Sequence, residues 1–453
     1  MLKELLKKGD KVFYKQLFSL ALPIAFQNLI FTLLNMTDNL MIGQFGDSAI
    51  AGVGAANRLF FLFNLFIFGV NSGAAIFVSQ YWGIKDVKNI RRVLGFAMTL
   101  SIIGALPFTL GAVLIPENII RVFNDNPEVI KAGAMYLRVI GFSYGITAIS
   151  FSYGFALRGI GKATLPMVTS IISVFINIGL NAVLIFGLLG FPQLGVLGAA
   201  IATLIARLIE VVILLLLVYA KKTPLAAKLE ELFDWNKELL MKVTIKLLPV
   251  VLNEIAWSVG VTIYSVVYGH LGTEQFAAIT ILGTIEQLGM VLFFGMGNAC
   301  AVMLGNALGN GELDKAWDYS KKIVLLSAMI SVVIGIALVG FAPLYLQLYN
   351  VEQVVIDYVL GCIVIYAIVM PFKVFNTINI VGILRSGGDT FFTLLLDGIG
   401  VWGVGVPLAW LGYFLGFDLY GVYILVMFEE VFKLFFGLYR YRSKKWVKNL
   451  VSE

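Results

Sequence analysis

Nine ionisable residues interrupt otherwise apolar stretches of this chain: Asp38, Arg207, Glu210, Glu254, Glu286, Lys373, Asp397, Glu429 and Glu430. A charge at the centre of a membrane span costs about 2.5–3.5 kcal/mol on insertion scales, so each such residue is a functional hypothesis with a structural alternative. Asp38 lies in Asn35-Met36-Thr37-Asp38-Asn39, where hydroxyl and amide neighbours can stabilise a carboxylate or share a bound cation. Glu254 follows Asn253, five residues past Pro249. Asn177 and Asn181 stand one helical turn apart, and Thr203 ends Gly198-Ala199-Ala200-Ile201-Ala202-Thr203. Amide and hydroxyl oxygens are hard ligands suited to Na⁺, and the same groups also hydrogen-bond helices to one another. Arg207 and Glu210, three apart on one helical face, read as a structural ion pair. Glu429 and Glu430 are expected to meet Lys433. Lys373, two residues after Pro371, either pairs with an acid of the second half as a built-in cation or snorkels to the interface. Asn35, Asn253, Glu286 and Asn376 are candidates for lining a substrate cleft.

What these residues cannot do follows from what is missing. The chain has one histidine, His270, and two cysteines, Cys300 and Cys362, both in apolar stretches that read as buried. No catalytic dyad or zinc site can be assembled from so few such residues, and an enzyme is not expected. The 453 residues are 60% hydrophobic and only 13% charged, with mean hydropathy +0.92. Soluble domains carry about twice that share of charge, so an ordinary soluble protein is excluded. The net charge of +6 is read as loop lysine beside a membrane, not as nucleic-acid binding. Its 35 Phe, 18 Tyr and 7 Trp suit lipid facing and interface belts first, and some could line a cavity for amphipathic cations.

The elements that must position the charges are helices. Twelve apolar segments lie near 16–41, 52–80, 93–114, 133–156, 165–189, 196–219, 240–268, 276–304, 323–346, 354–381, 392–415 and 420–440. All exceed the ten or so residues of a barrel strand, and a helix satisfies its own backbone in lipid. Lysine and arginine collect in alternate loops: Lys85, Lys88, Arg91 and Arg92 in the second, Lys221, Lys222, Lys228 and Lys237 in the central connection, Arg440 to Lys448 at the end. Both termini are therefore expected in the cytoplasm. Leu2, Leu5 and Leu6 among lysines suggest a short helix on the membrane surface.

The chain repeats. Residues 22–83 and 248–309 align without gaps at an offset of 226, with identities clustered on Gly and Pro, among them Pro23/Pro249, Gly43/Gly269, Gly46/Gly272 and Gly69/Gly295. Farther on the offset is 227, and Ala156-Leu157-Arg158 answers Ile383-Leu384-Arg385. Asp38 aligns with Tyr264, and Glu254 with Asn28, so the acids of the two halves are not equivalent. Six spans per half make a parallel repeat about an axis along the membrane normal, which is transporter architecture. The expected organisation is an amphipathic segment 1–15, an N-lobe 16–220, a cytoplasmic linker 221–239, a C-lobe 240–440 and a basic cytoplasmic tail 441–453: an all-α integral membrane protein with twelve transmembrane helices in two pseudo-symmetric six-helix lobes.

Over almost its whole length the chain resembles the multidrug and toxic compound extrusion (MATE) family. The resemblance is carried by Pro23 with Asn28, Asp38 before Ile42-Gly43, and Asn177-Ile178-Gly179-Leu180-Asn181. Leu197 to Thr203, Pro249 with Asn253-Glu254, and Gly382-Ile383-Leu384-Arg385-Ser386-Gly387-Gly388-Asp389-Thr390 complete it. It implies export of cationic or amphipathic small molecules in exchange for Na⁺ or H⁺, without a resident cofactor, by a multi-pass protein of the cytoplasmic membrane working as a monomer. It also implies an N-lobe cation or proton site at Asp38, Asn177, Asn181 and Thr203, where Na⁺ would bind, or a C-lobe site at Glu254. Two departures stand out. Many members have Asp where this chain has Asn181, and some carry an acid in span 10 where it has Lys373, Asn376 and Asn379. The rival within the same superfamily is a lipid-linked oligosaccharide flippase, which would want cationic groups for pyrophosphate. Here Arg58, Arg207 and Lys373 are the only candidates.

Overall fold

The computed structural model describes residues 10–347, 349 and 351–452. The expected surface helix at Leu2, Leu5 and Leu6 lies outside the described residues, and residues 10–15 belong to the first span. Every regular element described is helical. The first repeat comprises α1 (Asp10–Gly43), α2 (Asp47–Gly83), α3 (Val87–Leu114), α4 (Pro116–Arg121), α5 (Pro127–Ile140), α6 (Ser143–Gly159), α7 (Thr164–Phe186) and α8 (Val196–Ala220). A short α9 (Leu229–Phe233) leads into the second repeat: α10 (Lys237–Leu271), α11 (Thr273–Gly309), α12 (Leu313–Leu346), α13 (Gln353–Thr377), α14 (Thr390–Gly398), α15 (Val406–Phe414) and α16 (Leu419–Arg442). α13 runs on through a π-helical turn, Ile378–Leu384, and α14 joins α15 through another, Ile399–Gly405.

Ten helical stretches are long and apolar enough to span a membrane, and α5 with α6, bent by 51°, makes an eleventh. The twelfth is α16, whose Glu429, Glu430 and Lys433 dilute its hydropathy. The helices reach past the apolar segments read from sequence, because backbone hydrogen bonding continues into charged turns that hydropathy marks as loop.

The chain divides into two compact units, and the division is not at the linker. One, the N-unit, is Phe26–Val251; the other, the C-unit, is Leu252–Glu453 with the start of α1 up to Ala25. α1 and α10 thus each begin in one unit and finish in the other, changing over two residues past Pro23 and Pro249. The repeat explains how. Within the C-unit, Gly295 of α11 lies so close to α1 that an added Cβ would stand 3.0 Å from Ala25 Cβ. Within the N-unit, the equivalent Gly69 of α2 would meet Val251 Cα of α10 at 2.8 Å. Only glycine admits such backbone contact. A second matched pair, Gly46 and Gly272, starts α2 and α11 at φ of 95° and 143°, where a side chain is strained.

Neither the linker nor the tail hangs free. Arg91 of α3 donates to the carbonyls of Pro224 (2.9 Å) and Ala226 (3.2 Å) and pairs with Glu231 at 2.6 Å, while Arg92 pairs with Asp234. So 221–239 is part of the N-unit's fold. The Lys228 backbone N–H and Arg91 hold Glu231 below the usual carboxylate range, and Arg92 and Lys88 do the same for Asp234. Such depressed groups favour the folded state at neutral pH and lose that contribution as pH falls through their folded values. In the tail, Trp446 is fully buried against Tyr441 and Trp317, and Asn449 donates to Gly309 O at 3.0 Å. Segments 221–239 and 441–452, expected as cytoplasmic linker and basic tail, are docked on the two units.

Gly69→Ala and Gly295→Ala are expected to destabilise the protein by about 1–3 kcal/mol each, as overpacking does, lowering the thermal unfolding midpoint in detergent. Gly179→Ala, on the exposed face of α7 with no atom within 4 Å of its added Cβ, should leave that midpoint unchanged or raise it.

Candidate functional site

α7 shows how the sequence builds the N-unit's site. Its buried positions Thr169, Ser170, Ser173, Asn177 and Asn181 recur at helical spacing, while Val168, Ile172 and Phe175 point outward. In lipid the polar stripe turns inward, because only there do its groups find partners. Asn181 Nδ2 donates to Asp38 Oδ1 of α1 at 2.6 Å. The Asn177 carboxamide stands 3.2 Å from the same carboxylate oxygen and 3.2 Å from Thr203 Oγ1 of α8. With its nitrogen towards Asp38, it donates to the carboxylate and turns its oxygen to Thr203. The four residues expected to act together do meet. Asp38 forms no ion pair among the described residues, and Asn181 Oδ1, fully buried, has no hydrogen-bond partner. A carboxylate beside an unmatched amide oxygen is a set of oxygen donors that a small cation fits.

A second network lies farther along α7. Arg207 pairs with the buried Glu210 at 2.9 Å, and Glu210 Oε1 accepts from Ser170 at 2.7 Å. Ser170 accepts from Gln27 at 2.7 Å, and Gln27 Oε1 accepts from Arg158 at 2.7 Å. Sequence reading found the Arg207–Glu210 pair but not its continuation through Gln27 and Arg158.

The C-unit places ionic chemistry at the corresponding positions. Asn253, the repeat equivalent of Gln27, donates to Asp397, the equivalent of Ser170, at 2.9 Å. Arg385, the equivalent of Arg158, pairs with Glu254 at 2.9 Å. Lys433 bonds Asp397 at 2.7 Å and also Glu429, which in turn accepts from Tyr264, the equivalent of Asp38. Gly400 and Gly405 of the second π turn leave the space that the Lys433 stem and the Tyr264–Glu429 pair occupy.

Several expectations change here. Glu254, the candidate for a C-lobe coupling site, is paired with the buried Arg385. Glu429 meets Lys433 as expected, but Glu430 instead accepts from Asn376 at 2.8 Å. Asn253 and Asn376, expected to line a cleft, are both buried to 3% exposure within the C-unit's polar clusters. Asn35 is exposed on α1 and joins neither network. Glu286 pairs with Lys373 at 2.9 Å and accepts from Tyr423 at 2.5 Å, so Lys373 is a paired cation and not a snorkelling one. Cys300 and Cys362 are buried free thiols. Tyr264, Tyr423 and Arg158 were missed as site residues, because an aromatic or an arginine near a span end has no periodicity that marks its partner. The repeat offset was the one signal that could have paired them.

Removing one member of a buried ion pair leaves the other charge uncompensated, at a cost of about 3–5 kcal/mol. Glu254→Gln is therefore expected to lower the thermal unfolding midpoint sharply. Asp38→Asn, which takes away an unpaired charge, should leave the midpoint unchanged or raise it in the same assay.

Comparison with known proteins agrees with this architecture. The family described as MatE matches residues 23–183 and again 249–411, two segments that begin 226 residues apart, as the repeat does. The uncharacterized transporter YisQ of Bacillus subtilis is 26% identical over 445 residues, 98% of this chain and 96% of that protein. The probable multidrug resistance protein NorM of Thermotoga maritima is 25% identical, over 96% of this chain and 94% of its own length. Among solved structures, an outward-facing multidrug resistance MATE transporter of the MOP superfamily superposes with a TM-score of 0.86 at 21% identity, covering 95% of this chain and 96% of that one. A MOP superfamily transporter from Pyrococcus furiosus gives 0.85 at 21% identity over the same shares. A match to both repeats and most of the chain shows that this protein belongs to the MatE family, the multidrug and toxic compound extrusion transporters, multi-pass membrane proteins that handle small molecules.

Proposed function

We propose that the protein is a secondary antiporter that exports cationic or amphipathic compounds in exchange for Na⁺ or H⁺, and that its coupling site is Asp38 with Asn177, Asn181 and Thr203. The observation that carries this reading is the contrast between two acids. Glu254 is matched by Arg385 at 2.9 Å, whereas Asp38 is met by amides alone. An unmatched carboxylate out of water favours a proton or a small cation, because either removes the cost of an isolated charge. A state that holds the cation and a state that releases it then differ in free energy, which is what a gradient needs to drive a conformational cycle. For Na⁺, the Asp38 carboxylate and the amide and hydroxyl oxygens of Asn181, Asn177 and Thr203 would be the ligands. For H⁺, Asp38 alone would carry the charge. The chain needs no resident cofactor and no catalytic group for this work, and it acts as a monomer.

The same reading places the protein in the cytoplasmic membrane with both termini in the cytoplasm, as the lysine- and arginine-rich alternate loops favour. A flippase for lipid-linked oligosaccharides is less well supported. Arg207 and Lys373, two of the cations that might have met a pyrophosphate, are each engaged by a carboxylate.

The test is transport by purified protein in liposomes under imposed Na⁺ or pH gradients, with a fluorescent organic cation as cargo. Asp38→Asn should lower gradient-driven efflux at least tenfold, and Asp38→Glu should retain a measurable part of it. Near-normal efflux from Asp38→Asn would overturn the assignment, and the gradient that drives the unmodified chain identifies the ion.

A further inference from the structure

We propose that Glu286, with Tyr366 and Tyr423, forms a receptor for an alkylammonium group that Lys373 occupies as a tethered stand-in. The inference deepens the export reading above and rests on it for its physiological meaning. Glu286 belongs to α11, Tyr366 and Lys373 to α13, and Tyr423 to α16, all within the C-unit. Tyr423 OH donates to Glu286 Oε1 at 2.5 Å, which fixes the carboxylate and leaves Oε2 to the Lys373 ammonium at 2.9 Å. That ammonium also stands 5.3 Å from the centre of the Tyr366 ring. A carboxylate oxygen with an aromatic face beside it is the chemistry that recognises a protonated amine.

What separates this pair from the others in the C-unit is access and exchangeability. Lys433 is held by two carboxylates, Asp397 and Glu429, and its side chain is 4% exposed. Lys373 has one carboxylate partner and its side chain is 26% exposed, with Glu286 at 18%. A flexible four-carbon stem can swing its charge to water when another ammonium takes its place. The exchange replaces one N⁺–H···O⁻ bond by another of the same kind, so it leaves no buried charge unpaired. A cargo with a primary or secondary ammonium group can make that bond. A quaternary ammonium, with no N–H to donate, cannot.

The experiment uses the purified full chain and n-propylammonium, which matches the atoms removed from lysine by Lys373→Ala. Calorimetric titration should show Lys373→Ala binding n-propylammonium at least tenfold more tightly than the unmodified chain. The gain should vanish in Lys373→Ala with Glu286→Gln, and tetramethylammonium should show none. Lys373→Ser, which vacates the same stem, serves if the alanine variant does not fold. No gain in the vacated chain, or a gain that survives Glu286→Gln, overturns the proposal. Binding as expected without gradient-driven efflux would sink the antiporter reading and leave this receptor standing. Efflux without the binding gain would do the reverse.

Discussion

A charge taken out of water must find its opposite nearby or give up its charge. That constraint organises this protein. Born-type costs for an unmatched ion in a low-dielectric interior amount to several kcal/mol even after relaxation, which exceeds what any single helix contact returns. The C-unit obeys mostly through pairs, Glu254 with Arg385, Glu286 with Lys373, and Asp397 and Glu429 around Lys433, and leaves Glu430 to the Asn376 amide. The N-unit obeys at Arg207 and Glu210 and departs from the rule at Asp38. The departure is where a mobile cation has something to do.

The two units solve one geometric problem with different chemistry. Equivalent positions hold a neutral bridge in one, Gln27 to Ser170, and a charged one in the other, Asn253 to Asp397. Asp38 and Tyr264 are likewise equivalent, yet one is an acid without an ion pair and the other donates to Glu429. Duplication preserved the backbone approach, as Gly69 and Gly295 show, while the side chains at the buried positions diverged into a neutral and an ionic set. The internal lysine at position 373 is part of the same divergence. It supplies from within the chain a charge that would otherwise come from solution.

Much of the fold was legible in the sequence. Spans showed as apolar runs longer than any strand, and the repeat showed as glycines and prolines at one offset, since those residues record backbone geometry directly. Of the site, Asn177 and Asn181 stood out by helical spacing and the Arg207–Glu210 pair because its members are three apart, whereas only the family resemblance grouped Asp38, Asn177, Asn181 and Thr203. Contacts over 131 to 165 residues, such as Glu254 to Arg385 and Tyr264 to Glu429, leave no local trace. The changeover of α1 and α10 between units was equally hidden, as both are unbroken apolar helices to any periodicity.

The sequence by itself determined that this chain lives in a bilayer, that it is a doubled six-span protein, and which few ionisable groups interrupt its apolar stretches. Composition and spacing suffice for these because lipid punishes every exposed polar group, leaving little freedom in where such groups can stand. Only the tertiary structure decided which of those groups are matched by an opposite charge and which are not. Ion pairing is set by how helices cross, and that is fixed by close backbone approaches such as Gly69 to Val251, made between segments far apart along the chain.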